Sequence, residues 1–388
     1  MRANGGFAGS YAKIILSTKR LEFLNPRVLE FSPEFTFQDI YVPNGQLAGH
    51  VVPPEPIQQA FQHGTWELAN ADWEPDFPTS AKNLRWFFEK GNEINPDILS
   101  IINLSTIKQI LNIVGSFPVP EYSANLTPDN LYLFLQGKTE TNFFPGSTQK
   151  KDTLTAVGLA LIKKAQGLSL LQKYRIAHIL YTDLVNQNIM IHSNNLSFQT
   201  LLEQKKLAGV LSPGAFDTYS LVETNLGANK ANQFVTRSTT HQISLAGQNL
   251  RHEVTVKLIN SSPEANPNPP IHYGGNYVAY FRFYVPAEAK DISLTWSDAT
   301  SSATPSTQIS PKYGLSEIGF WQTTPAGAES TIKLSYGLFL PLHSRYSLSL
   351  LKQHGLISSP QTINISGKAL STLLRNDFYY SSNKKTGD

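Results

Sequence analysis

A change of pattern near residue 226 constrains the fold of this chain more than any single motif. Up to that point strand-like and helix-like periodicities alternate. That predicts an α/β domain over residues 1–225, a mixed sheet with flanking helices. Beyond it no amphipathic helix intervenes. Residues 241–245 and 251–259 alternate apolar and polar side chains around a Gly247-Gln248-Asn249 turn, which is a hairpin pattern. Further strand-like runs fall at 277–285, 292–296, 318–323, 332–338, 346–351 and 361–365. Turn signals recur roughly every ten residues between them, the spacing of a β-sandwich, here placed at 226–375. Residues 376–388 read as a polar, flexible tail.

Within the first part, residues 7–16 and 27–37 are rich in Ile, Val, Phe and Tyr and read as strands, with Asn25-Pro26 as the turn between them. Asp76-Phe77-Pro78-Thr79-Ser80 is a helix entrance, followed by Ala81, Leu84 and Phe87/Phe88 at helical spacing and closed by Gly91. Residues 97–103 form a short buried strand. Helices are predicted after Ser105 and after Thr127-Pro128, and at about 151–166, 169–186 and 197–207.

Composition removes several classes of function. The chain of 388 residues has no cysteine, so disulfide scaffolds, zinc–cysteine sites and thiol catalysis are excluded. The net charge is +3, from 32 basic and 29 acidic residues, too balanced to point to nucleic acid. No run is apolar enough to span a bilayer. There is no Gly-x-Ser-x-Gly elbow, phosphate loop, Gly-x-Gly-x-x-Gly or His-Glu-x-x-His. The opening residues lead straight into strand-like sequence, so the chain is expected to be a piece of a longer protein, with any export signal upstream.

Three segments are candidates for chemistry. In Arg2-Ala3-Asn4-Gly5-Gly6, adjacent glycines let backbone N–H groups converge on an anion, and Arg2 adds a bidentate phosphate contact. The alternative is a tight turn before a strand. Residues 66–78 hold Glu67, Asp72, Glu74 and Asp76 beside Trp66 and Trp73, suited to sugar, a divalent cation or base catalysis. Alternatively Asp72 and Asp76 cap a helix while the tryptophans fill core. If Asp76 is only a cap, Asp76→Asn is expected to cost about 0.5 kcal/mol or less. Residues 226–232, rich in Gly and Asn, are either an interdomain ligand site or a structural linker. Lys150, Lys151, Lys163 and Lys164 lie on predicted helices, where a solvated face is the default.

Together these segments resemble a bacterial envelope family, the domain-of-unknown-function family numbered 4012. Residues 2–11 resemble its Arg-Pro-Thr-Gly-Gly-Phe-Ile-Gly-Ser-Tyr opening, with Ala3-Asn4 in place of Pro-Thr. Residues 71–78 resemble its acidic Asn-Trp-x-Pro-Asp-Phe-Pro stretch, and 225–230 its Asn-Leu-Gly-Gly-Asn-Lys motif. Tyr284-Val285-Pro286 and Lys352-Gln353-His354-Gly355 resemble pieces of its β-rich part. The α/β part of that family is in turn distantly similar to the LytR-CpsA-Psr family, which transfers glycopolymers from a polyprenyl-pyrophosphate carrier to peptidoglycan.

The resemblance implies an extracytoplasmic cell-envelope protein, membrane-associated through an upstream segment. It also implies a phosphate site of Arg2, Asn4, Gly5 and Gly6 with Lys150 and Lys151. Asp72 and Asp76 would be catalytic, and Asp76 would hold Mg²⁺. Where the LytR-CpsA-Psr pattern has an Arg-rich segment, residues 147–152 contain no Arg, and lysine does not reproduce the bidentate geometry. The expected function is therefore either transfer of a lipid-linked glycopolymer or non-catalytic binding of envelope polysaccharide or protein.

Overall fold

The computed structural model describes residues 3–6, 9–20, 29–39, 47, 49–62, 65–140, 149–265, 274–297 and 308–385. The N-terminal part contains β1 (Ser10–Arg20), β2 (Leu29–Asp39), α1 (Glu55–Phe61), α2 (Phe77–Lys90), β3 (Ile98–Ile102), α3 (Leu104–Val114), β4 (Phe117–Val119) and β5 (Ala124–Leu126). It continues with α4 (Leu131–Glu140), α5 (Gln149–Gln166), α6 (Leu170–Val185), β6 (Ile189–Ser193) and α7 (Leu196–Gln204).

Local sequence accounts for the helix ends. The side chain of Asp76 accepts from the third residue of α2, and Pro78 sits in the first turn where no N–H is needed. Ser169 and Gln172 close a reciprocal capping box at the start of α6. Asn195 caps α7.

The α/β content agrees with expectation, but strand pairing does not follow from alternation alone. Among the described residues the first six strands form three separate antiparallel pairs, β1–β2, β3–β6 and β4–β5. Apolar periodicity specifies which face of an element is buried, and not which strand lies beside it. Leu68, Phe77, Ala81, Phe87, Leu99 and Met190 form the core beneath α2. Leu111, Phe117, Val119, Leu126 and Val157 form a second core under α3 and α5.

The remaining strands are β7 (Asp217–Asn225), β8 (Val235–Ala246), β9 (Asn249–Asn260), β10 (Tyr277–Pro286), β11 (Lys290–Ser297) and β12 (Gln308–Lys312). They are followed by β13 (Leu315–Thr324), β14 (Glu329–Phe339), β15 (Arg345–Leu351), β16 (Ser359–Ile365), β17 (Lys368–Leu374) and β18 (Phe378–Lys385). They make two six-stranded sheets, ordered β12-β13-β10-β7-β15-β18 and β11-β14-β9-β8-β16-β17. Pairing is antiparallel except for β15 with β7 and β16 with β8. One continuous core lies between the sheets, with Phe281, Phe283 and Phe320 from the first facing Val256, Ile332 and Leu334 from the second.

Two boundaries differ from the sequence reading. The sandwich starts before 226, because β7 is a central strand hydrogen-bonded to β10 and β15. Every residue of β7 but Leu221 is buried, so it lacks the apolar–polar alternation that marks a half-exposed strand. Most of the expected tail is β18, an edge strand paired with β15. Phe378 and Tyr380 at its start pack against the core, and its polar second half suits an edge, where charge and polarity discourage further pairing.

A polar network crosses the sandwich core and ties the sheets together. Asp217 on β7 accepts from the hydroxyls of Tyr336 on β14 and Tyr346 on β15, each at 2.7 Å. His252 on β9 meets the same carboxylate at 2.9 Å, and His241 on β8 meets His252 at 3.0 Å. Burial alone would raise the Asp217 pKa; His252 and the three hydrogen bonds outweigh it and hold the carboxyl below its ordinary value.

Candidate functional site

The acidic stretch folds as a buried elbow before α2. Leu68–Asn70 is one turn of 3-10 helix, and Trp66 donates from its indole to the Asn70 carbonyl at 3.1 Å. Its ring meets Phe87 edge-on at 5.4 Å. Asp72 is 1% exposed. Asp76 joins two segments: Oδ2 accepts from Thr79 N at 3.0 Å and Thr79 Oγ1 at 2.6 Å, and Oδ1 accepts from Leu211 N at 3.0 Å.

This double engagement changes the expected cost of Asp76→Asn. Whichever oxygen becomes an NH₂ then faces a backbone N–H, that of Leu211 or that of Thr79. A buried donor left facing a donor costs about 1–3 kcal/mol, more than an interchangeable cap would. Urea unfolding of Asp76→Asn checks this, and a loss under about 0.5 kcal/mol would mean that the Leu211 bond contributes nothing.

The Gly-Gly turn sits against this elbow. Ala3 and Asn4 are fully buried. Asn4 Nδ2 donates to the Glu74 carbonyl at 2.7 Å, to Ser80 Oγ at 3.0 Å and to the Asp72 carbonyl at 3.3 Å. With the nitrogen so engaged, the Asn4 oxygen must accept, and it faces His354 Nδ1 at 3.0 Å. The imidazole therefore donates from Nδ1. Gly5 has φ +108° and packs on Asn103 and Gly355. A Cβ there would overlap the Asn103 amide, so the glycine is required by space and backbone alike.

The partner of this turn is the segment after β15, where four successive residues reach three separate parts of the chain. Lys352 Nζ donates to the Asn186 carbonyl at 2.9 Å, just beyond α6. Gln353 bonds the Glu223 backbone in both directions, at 3.0 and 2.8 Å. His354 meets Asn4. Gly355 N donates to the Gln187 carbonyl at 2.9 Å. Lys352 is 3% exposed, and burial pulls its pKa down to about 8 against the attraction of Asp377 and Asp183.

A second strap comes from β10. Arg282 is fully buried, with Nη2 donating to the Trp73 carbonyl at 2.9 Å and the guanidinium 4.3 Å from the centre of the Trp73 ring. Glu74 lies within its field and is bound by Lys312 Nζ and by the Tyr313 hydroxyl, each at 2.7 Å. Burial pushes the Glu74 carboxyl up, but Arg282, Lys312 and the Tyr313 bond together hold it below its usual value. Leu226 packs with Trp73 and Tyr280 beside this strap, and in the loop that follows Gly227 N donates to Asn225 Oδ1 at 3.0 Å. Ala228 and Lys230 adopt positive φ.

The structure thus brings Asn4, Gly5, the acidic elbow and residues 352–355 together at one buried joint between the N-terminal part and the sandwich. Arg2 lies outside the described residues. Gly6 borders the joint, half-buried. Lys150 and Lys151 lie on α5, which packs on β2, α4 and β4 and not on the joint. Among the described residues no three His, Asp or Glu side chains converge as a cation site. Around Asp76 the donor set does not fit Mg²⁺, because both carboxylate oxygens already face protein N–H or O–H groups. Asn103, Arg282 and Glu223 carried no signal in the sequence. Their roles depend on contacts between residues far apart in the chain.

The histidines at the joint and in the sandwich make stability pH-dependent. Burial, with Lys352 beside it, pushes His354 down to about 3; burial, with His252 beside it, pushes His241 down to about 3. Between the ordinary value of 6.5 and about 3, the unfolded chain binds more protons than the native one. The contribution is therefore complete above 6.5 and is lost as pH falls. Each histidine adds a slope of up to about 1.4 kcal/mol per pH unit in that window. Urea unfolding at stepped pH checks this; a flat profile from 6.5 to 4.5 would contradict it.

No curated protein matches the sequence. Among solved structures, a protein from Legionella pneumophila described as a "putative nutrient binding protein" aligns with 12% identity over 38% of this chain and 54% of its own, at a TM-score of 0.26. The alignment spans about half of that protein and carries no argument for fold or function. Residues 1–139 match the family model described as Protein of unknown function (DUF4012), the family that the Gly-Gly and Asp-Phe-Pro stretches resemble.

Proposed function

We propose that this chain is a non-catalytic module of the bacterial cell envelope, which binds envelope polysaccharide or protein. In this reading its N-terminal part is a LytR-CpsA-Psr-like scaffold that holds the sandwich in a set orientation. The observation that carries the reading is the convergence of the motifs on a packed joint. Asn4, Asp76 and His354 direct their polar atoms at protein groups, and Gly5 meets Asn103 and Gly355 instead of open space. A transferase needs positioned groups that can reach a pyrophosphate and a cation. The extracytoplasmic location and the upstream membrane segment belong to the same proposal.

The test is incubation of the full chain with a polyprenyl-pyrophosphate-linked disaccharide, Mg²⁺ and purified peptidoglycan sacculi. Retention of the protein on sacculi without covalent transfer of sugar is expected. Transfer that disappears in Asp76→Asn while the protein stays folded would overturn the proposal in favour of the transferase.

A further inference from the structure

Helix α6 is amphipathic in the reverse sense. At 100° per residue, Gln172, Ile176, Ile179 and Asp183 share one side, and this is the packed side. Gln172 Nε2 donates to the Ile113 carbonyl at 3.2 Å, and Asp183, buried, accepts from Thr106, from Gln109 at 3.0 Å and from Asn188 at 3.1 Å. The opposite side carries Leu170, Leu171, Tyr174, Ala177, His178, Tyr181 and Val185, every one exposed and none an acid or a permanent cation. Leu170 is 86% exposed, Tyr174 68% and Tyr181 65%. A contiguous apolar and aromatic helix face of this kind marks an interaction surface.

The charges around it identify the occupant. Residues 149–185 contain six basic side chains (Lys150, Lys151, Lys163, Lys164, Lys173 and Arg175) and two acidic ones, Asp152 and Asp183. Asp183 is internal, and residues 163–175, which lead into α6, hold four cations (Lys163, Lys164, Lys173 and Arg175) and no acid, so positive charge borders the apolar face. Lys173 and Arg175 flank the stripe on either side, and Lys173 Nζ reaches back to the Gln166 carbonyl, placing it over the end of α5 near Lys163 and Lys164. A second copy packed symmetrically, α6 against α6, would bring these like charges together. An anionic lipid surface answers all of them and accepts Leu and Tyr at the depth of its headgroups.

We infer that α6 is a membrane-surface docking helix, lying in the headgroup region of an anionic bilayer with its Leu170–Tyr174–Tyr181 stripe inserted and the basic side chains on lipid phosphates. The inference does not depend on whether the joint binds a polysaccharide or catalyses transfer.

The experiment is flotation of the full chain with vesicles of phosphatidylcholine alone and of phosphatidylcholine with 30% phosphatidylglycerol. Binding to the anionic vesicles, weakened by 0.5 M salt, and none to neutral ones is expected. The side chains concerned are exposed, so Tyr174→Ser/Tyr181→Ser and Lys163→Ser/Lys164→Ser should keep the native melting temperature. Each pair should weaken binding, the lysine pair about 25-fold, since each cation near the surface is worth about fivefold. Failure to float with anionic vesicles, or equal binding by both double variants, would overturn the inference. So would a dimer in sedimentation equilibrium that Tyr174→Ser/Tyr181→Ser dissociates, since a second copy would then cover the stripe.

Discussion

Replacing Arg282 with alanine is expected to destabilise the protein by about 3–5 kcal/mol, because it removes one partner of a buried charge cluster and empties the space over Trp73. Arg282 comes from the centre of a sandwich strand and ends on the acidic elbow, donating to the Trp73 carbonyl. Its loss leaves the Trp73 oxygen short of a donor and leaves Glu74 with Lys312 as its neighbouring cation. Arg282→Lys should recover only part of the loss, since an ammonium neither stacks on the indole nor spreads its donors as a guanidinium does. Urea unfolding measures both. A loss below about 1 kcal/mol would mean that the elbow does not depend on the strap.

Gly355→Ala is the second large effect, at about 2–4 kcal/mol. Gly355 has φ +70°, a conformation that costs an alanine energy whatever the space around it. Its Cβ would also overlap the Cα of Gly5 and stand 2.7 Å from Asn103 Nδ2, so the two parts of the chain would have to separate. Gly6→Ala is the control, because a Cβ there meets nothing within 4 Å. Urea midpoints of the two variants should differ widely. Equal midpoints would remove the close approach of residues 5 and 355 from the account.

Much of the architecture was legible in the sequence, for local reasons. Helix α2 announces itself by its cap, its proline placement and its apolar spacing, all of which act within a few residues. The hairpin β8–β9 follows from alternation around Gly247. By contrast β7 was hidden because a strand buried on both faces has no alternation to detect. β18 was hidden because an edge strand whose second half is Ser, Asn and Lys looks like a tail.

The site divides in the same way. The Gly-Gly turn, the acidic elbow and the Lys-Gln-His-Gly segment were visible as unusual clusters, and their resemblance to one family tied them together. That Asn4 faces His354 across 350 positions is a tertiary fact, and so is the burial that pushes the His354 imidazole toward its neutral form. The same residue types that could cradle an anion, glycine for backbone freedom and asparagine for its paired donor and acceptor, also suit a dry joint between two parts of a chain. Composition does not separate the two readings; the surroundings of Asn4 do.

The most direct measurement is a double-mutant cycle between Asn4→Ala and His354→Ala, read by urea unfolding of the full chain. A coupling of about 1–2 kcal/mol between the two positions is predicted, as for hydrogen-bonded groups in one network. Losses that add to within about 0.3 kcal/mol would place the two side chains apart and contradict the joint.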